Sequence, residues 1–229
     1  MPTVPREPGI QVMDKSQLRN RMVDVQIARR GICDPALLAA MRQVPREAFV
    51  DADFEEVAYD DRALPIAAGQ TISQPYIVAV MAEAASIGTE ARVLEIGAGS
   101  GYASAILSRI AREVYAIERH ALLSEAAVQR FHHLGYTNIT LKTGNGNHGW
   151  PERAPFDAIL VSAGGATVSI CLKRQLKIGG ILVAPVGLAD EQRLKRIMRA
   201  GEDHFEETDL GAVSFVRLVS AAEIDALPP

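Results

Sequence analysis

The sequence predicts a doubly wound α/β sheet with an N-terminal helical subdomain and an antiparallel C-terminal extension. Short apolar runs of strand type, RVLEI at 92–96, EVYAIE at 113–118, NITLKT at 138–143, FDAILVS at 156–162 and ILVAPVG at 181–187, recur with helix-like stretches between most of them. Such alternation implies parallel strands joined by crossover helices. A glycine-rich turn, GAGSGY at 97–102, directly follows the first run. Finally, 229 residues with 48% hydrophobic and 23% charged side chains suit one large globular core.

In chain order, the first dozen residues hold three prolines and little pattern, so residues 1–13 read as a loose arm. Residues 14–229 read as one domain, with a helical part and loop over 14–90 and the sheet over 91–229. Asp14 and Gln17 have capping-box spacing, and Leu18, Met22 and Val25 fall on one helical face. Asp34-Pro35 reads as an N-cap with proline in the first turn, and that helix runs to about Val44, before Pro45. Residues 46–73 look irregular and contain the polar GQTIS stretch. Pro75 opens an apolar helix to about Ser86, with Gly88 as its terminator. Further helices run from the glycine turn to about Ile110, from about Ala121 to Leu134-Gly135, and over about 167–176 before Gly179-Gly180. QRLKRIMRA, the GED turn, HFEETDL and AVSFVRLV then read as antiparallel strands.

The net charge of −4, from 24 basic and 28 acidic residues, argues against a nucleic-acid binder held by bulk electrostatics. The run Arg193-Leu194-Lys195-Arg196 reads as a solvated strand face. Cys33 and Cys171 are far apart and read as free thiols of a reducing compartment. The first residues carry no apolar leader, and the uncharged stretch 63–82 is interrupted by Gln70, Thr71, Ser73, Gln74 and Pro75. A cytoplasmic protein without a membrane span is expected. No metal is expected either, since no His/Cys/Asp cluster has ligand spacing.

The glycine turn is a candidate cofactor site, because glycines let a ligand approach the backbone and a helix N-terminus offers free N–H groups. The dinucleotide fingerprint would place a third-position glycine at 102, where Tyr102 stands. The pattern is instead Glu95-x-Gly97-x-Gly99-x-Gly101. A carboxylate there repels a pyrophosphate but suits a ligand with an ammonium and a sulfonium, such as S-adenosylmethionine. Glu118 ends the second strand and can accept both hydroxyls of a ribose.

With GQTISQPY upstream of LEIGAGSGY, the chain resembles the protein-L-isoaspartate (D-aspartate) O-methyltransferase family. Further carrying segments are RMVDVQIARRGI, AMRQVPREAFV, GNGNHGWPERAPFDAILVSA and QLKIGGILVAPVG. The resemblance covers about Arg21 to Val219. It implies a Rossmann-like methyltransferase that moves a methyl group from S-adenosylmethionine to the α-carboxylate of L-isoaspartyl and D-aspartyl residues in damaged proteins, leaving S-adenosylhomocysteine. It places Ser73 at the catalytic centre. It assigns the cofactor to Ile72, Ser73, Glu95, Gly97, Gly99, Ser100, Gly101, Glu118, Arg119, Asn145 and Gly146. Damaged proteins and peptides are the implied partners, with neither nucleic acid nor membrane. Two other readings are a carboxyl methyltransferase with another acceptor and a cofactor-binding relative without turnover.

Two departures from the family pattern stand out. Gly144-Asn145-Gly146 carries asparagine where the family usually has aspartate, a weaker acceptor for an adenine amino group. The segment 163–169 lacks the family's usual prolines, and Gly164-Gly165 is expected to loosen it. His148, the pair His132-His133 and Arg62 read as surface residues, and Trp150 as a packing residue.

Overall fold

The computed structural model of the protein describes residues 13–188, 191–216 and 218. Residues 1–12 of the arm expected over 1–13, and the end of the C-terminal extension, lie outside the described residues.

Helix α1 (Lys15–Arg21) starts from the expected capping box, with the Asp14 carboxylate accepting the Gln17 N–H at 2.7 Å and the Gln17 side chain accepting the Asp14 N–H at 3.0 Å. It then widens into a π-turn over Met22–Ile27. The extra residue per turn rotates Met22, Val23 and Ile27 into the core and leaves Val25 40% exposed. The expected Leu18–Met22–Val25 face is therefore not formed. Helix α2 (Pro35–Gln43) is capped by Asp34, which accepts the N–H groups of Ala36 and Leu37.

Residues 46–73 are short 3₁₀ segments around a minimal antiparallel pair, β1 (Leu64–Pro65) and β2 (Thr71–Ile72), with Leu64 opposite Ile72. Arg46 is fully buried here, its Nε donating to the Ala58 carbonyl at 2.8 Å and its guanidinium lying over the Tyr102 ring. Helix α3 (Pro75–Ala84) stops earlier than expected. Ser86 adopts the left-handed conformation (φ 53°), so the terminator is Ser86 and not Gly88.

The main sheet contains β3 (Arg92–Ile96), β4 (Glu113–Glu118), β5 (Ile139–Thr143), β6 (Phe156–Val161), β7 (Leu176–Val186), β8 (Gln192–Arg199) and β9 (Phe205–Val213). Its order is β5-β4-β3-β6-β7-β8-β9. The first five strands run parallel, and β8 and β9 pair antiparallel. Helices α4 (Tyr102–Ser108), α5 (Ala121–His133) and α6 (Ile170–Arg174) make crossovers. The helix expected over 167–176 is only α6, because β7 already begins at Leu176. Gly179-Gly180 lies inside that strand at a register shift against β6, where a Cβ on Gly180 would stand 3.0 Å from two carbonyl oxygens.

Strand residues alternate between two cores. Val93, Val114, Leu160 and Val183 join Met22, Met41, Phe49 and Ile106 on one face. Leu94, Ile117, Ile159 and Leu182 join Leu172 and Ile197 on the other. At the outer edge, Arg193 pairs with Asp209 at 2.9 Å and Lys195 with Glu207 at 3.1 Å. Strand order reverses between β3 and β6, and an α/β sheet offers its ligand crevice beyond the carboxyl ends at such a point.

Candidate active site

The turn after β3 is shaped by positive φ at Gly97 (84°), Gly99 (54°) and Gly101 (87°). It is pinned from behind. The Gly97 N–H donates to the Ile117 carbonyl at 2.8 Å, and Arg130 donates to the Ser100 carbonyl at 2.7 Å. Glu118 is 4% exposed and accepts the Gly99 N–H at 2.7 Å and the His120 N–H at 2.9 Å. Each carboxylate oxygen thus has one protein donor and capacity for another.

Two cavities meet at this turn, and a third joins them at Thr71 and Ser162. The first, about 650 Å³, runs between the turn and the ends of β4 and β5 and is lined by Gly97, Gly99, Glu118, Arg119, Asn145 and Gly146. The second, about 490 Å³, holds Ile72, Ser73, Glu95 and Ser100 with Gly97 and Gly99. The third, about 950 Å³, lies between the Ser73–Ile77 stretch and residues 212–216. Of the eleven sequence-predicted site residues, only Gly101 lines none of these cavities. It is instead the N-cap of α4, where a side chain would run into the Phe131 ring.

Glu95 is 1% exposed and accepts the hydroxyls of Ser104 and Ser162. Burial pushes its carboxyl up to about 7, aided by the charge of Glu118 and opposed by the two serine hydroxyls. Asn145 turns its carbonyl oxygen to the Asn147 N–H at 3.0 Å, capping the short Gly146–His148 turn. A side chain at Gly146 would collide with Ile96, so the cleft floor is bare backbone at that position. Arg119 has one buried guanidinium nitrogen without a partner among the described residues.

Sequence reasoning missed the junction itself. Thr71 and Ser162 line all three cavities, and Ser73 lines two. Ser162 stands just past the carboxyl end of β6, beside the strand-order reversal, which was a readable signal. Val216 and Leu218 complete the first cavity from the distant C-terminal segment, for which the sequence offered none. The expectation of a loose 163–169 segment is corrected. Gly164 exchanges hydrogen bonds with Val216 and Leu218 at 2.7 Å each, and Gly165 bridges Val186. The absent side chain admits neighbouring chain close enough to fix the loop. His148, His132 and His133 are exposed, Arg62 pairs with Asp60 at the surface, and Trp150 packs edge-on against Tyr115.

These residues fit S-adenosylmethionine. Ile96 and Ile117 give the first cavity apolar walls for a purine, the bare α-carbon of Gly146 admits a close approach, and Glu118 retains acceptor capacity for a ribose. Two buried carboxylates suit a sulfonium with an ammonium and would repel a pyrophosphate.

The family model for protein-L-isoaspartate(D-aspartate) O-methyltransferase matches residues 16–223. A protein-L-isoaspartate O-methyltransferase of Methylorubrum extorquens is 56% identical over 208 residues, covering 91% of each chain. One from Pelobacter propionicus is 55% identical over 204 residues, covering 89% of this chain and 91% of the relative. A solved protein-L-isoaspartate O-methyltransferase aligns with a TM-score of 0.79 at 26% identity, covering 87% of this chain and 65% of that one. A Plasmodium falciparum structure in complex with S-adenosyl-L-homocysteine shares the fold, with a TM-score of 0.76 at 24% identity over 88% of this chain and 98% of that one. With its glycine turn, acidic cleft and GQTIS loop placed together in the fold, the chain belongs to the protein-L-isoaspartate(D-aspartate) O-methyltransferase family.

Proposed function

We propose that the protein is an S-adenosylmethionine-dependent methyltransferase that esterifies the α-carboxylate of L-isoaspartyl, and D-aspartyl, residues in damaged proteins. The observation that carries this reading is the convergence of three cavities on Thr71 and Ser162, with Ser73 shared by the second and third, the carboxylate-bearing clefts on one side and an open groove on the other. Bound cofactor supplies an electrophilic methyl on a sulfonium. An acceptor carboxylate titrates near about 4 and arrives ionised at neutral pH, so no general base is required. What remains for the protein is alignment and exclusion of water. In this reading Glu118 holds the ribose, Glu95 faces the ammonium, and Asn145 with the Gly146 backbone meets the adenine. Gly97, Gly99 and Ser100 carry the methionine end, with Ile72 and Arg119 closing the walls. Ser73 donates its hydroxyl to the acceptor carboxylate and fixes its line of approach. The ester then closes to a succinimide with loss of methanol, and water reopens the ring in part to normal aspartate.

Residues 1–13 would form an arm outside a single domain over 14–229. The exposed, unpaired thiols of Cys33 and Cys171 suit a reducing cytoplasm. Among the described residues no helix is long and apolar enough to cross a membrane.

The test is methyl transfer from labelled cofactor to an isoaspartyl peptide beside its aspartyl counterpart. Label on the isoaspartyl form alone is the expected result. Equal labelling of both, or of neither while cofactor still binds, overturns the assignment of the acceptor.

A further inference from the structure

The outer strands end beside the junction, and one buried side chain governs how they end. The β8–β9 ladder finishes at the pair Gln192–Val213. Beyond it, Ser214, Phe215 and Val216 wall the groove that contains Ser73, and Val216 also walls the first cavity. The Gln192 side chain adds a further rung. The Phe215 N–H donates to Gln192 Oε1 at 2.6 Å, and Gln192 Nε2 donates to the Phe215 carbonyl at 3.2 Å. A primary amide offers a donor and an acceptor as a peptide group does, so it can stand in for a strand partner. Gln192 is 2% exposed, which makes either bond costly to lose.

Gly164 supplies the space. Its backbone does not need glycine, but a Cβ there would stand 2.7 Å from Gln192 Cδ. The same residue donates to the Val216 carbonyl and accepts the Leu218 N–H. Gln192 and Gly164 together fix residues 214–216 opposite the GQTIS loop. Gln192 itself lines none of the three cavities.

We infer that Gln192 is a positioning residue for the acceptor: its amide clamp on Phe215 sets the groove wall against which the isoaspartyl peptide is held. This rests on the methyltransferase reading above. The wall lies on the acceptor side of the junction, so the clamp governs peptide KM more than the transfer step.

The experiment compares wild type with Gln192→Ala, Gln192→Glu and Gly164→Ala in steady-state methylation of an isoaspartyl peptide, from about pH 5.5 to about pH 8. Gln192→Ala is expected to raise peptide KM about tenfold at every pH, with kcat changed less than about threefold. An ionised glutamate accepts the Phe215 N–H but cannot donate to its carbonyl, whereas the protonated acid does both, and burial raises its titration range. Peptide KM of Gln192→Glu, relative to wild type at the same pH, is therefore raised at the alkaline end and returns toward unity as pH falls. That recovery within one protein is its own folding control. Gly164→Ala should raise KM similarly and add little to Gln192→Ala in the double variant. An unchanged KM in Gln192→Ala, or a pH-independent ratio in Gln192→Glu, overturns the inference. A wild-type protein that leaves the peptide unmethylated overturns the functional reading itself, and the inference with it.

Discussion

Asp61 caps helix α3 from outside the helix, its Oδ1 accepting the backbone N–H of Tyr76 at 3.2 Å. The same carboxylate accepts the Gln74 amide at 2.8 Å and the Arg30 guanidinium at 2.6 Å. That guanidinium lies 3.3 Å from the centre of the Tyr76 ring. The two ends of the 62–74 loop are thereby joined, and Thr71 and Ser73 hang between fixed points.

Removing that junction should loosen the loop more than the fold. Asp61→Ala is expected to lose about 1–2 kcal/mol of stability, the scale of a lost helix cap. Peptide and cofactor KM should both rise. Denaturant midpoints together with methylation kinetics check this, and unchanged KM values would show that the cap does not hold the loop.

Ser73→Ala should leave stability intact. The N-cap of α3 is Gln74, which makes no side-chain cap bond, and Ser73 is not part of the cap. Loss of one hydrogen bond to a charged acceptor is worth about 1.5–3 kcal/mol, or roughly a 10- to 150-fold fall in kcat/KM. Cofactor Kd, measured by calorimetry, should stay constant. An equal loss of cofactor binding would move Ser73 to the cofactor side of the junction.

Glu95 should make both stability and cofactor binding depend on pH. Its folded carboxyl titrates at about 7, above the unfolded value of about 4.5, so the folded state holds a proton that the unfolded state releases. Stability is therefore unaffected below the unfolded value and declines as pH rises toward 7, by about 3 kcal/mol. A cofactor ammonium favours the ionised form, so binding below pH 7 should release a proton and tighten as pH rises. Calorimetry in buffers of different ionisation enthalpy reads that proton. Glu95→Gln should flatten the stability profile, bind cofactor more weakly and release no proton.

Asn145→Asp should tighten cofactor binding by about 0.5–1.5 kcal/mol, because a charged acceptor strengthens a hydrogen bond from an adenine amino group. The Asn145 oxygen already caps the Asn147 N–H, and aspartate can keep that bond. Isothermal calorimetry on the two proteins decides it, and a weaker variant would place the 145 side chain away from the adenine.

Much of this architecture is legible in the sequence because buried parallel strands leave near-continuous apolar runs, as in FDAILVS, and because Asp14 and Asp34 cap helices through local bonds. The glycine turn and Glu118 are equally local, each sitting at the end of a readable strand. Legibility fails where a contact joins distant residues. The Asp61 cap spans the whole GQTIS loop, Ser162 shares its cavities with Thr71 from a different sheet, and Gln192 reaches Phe215 past the end of a ladder. The π-turn at Met22–Ile27 fails for another reason, since a 3.6-residue period cannot register an inserted residue.

The charged pairs at the outer edge of the sheet bear on aggregation. Among the described residues no strand pairs with the far side of β9, and an unpaired edge is a template for other extended chains. The substrates are isoaspartyl-containing proteins, whose extended segments could approach this edge. Along β9 they would meet Glu206, Glu207 and Asp209, with Gly211 in a positive-φ conformation next to a register shift. Asp209 is held at about 2 by the Arg193 guanidinium and the Gly211 N–H, so its charge persists in acid. Charges and a bulge of this kind blunt a sheet edge against pairing with another extended chain.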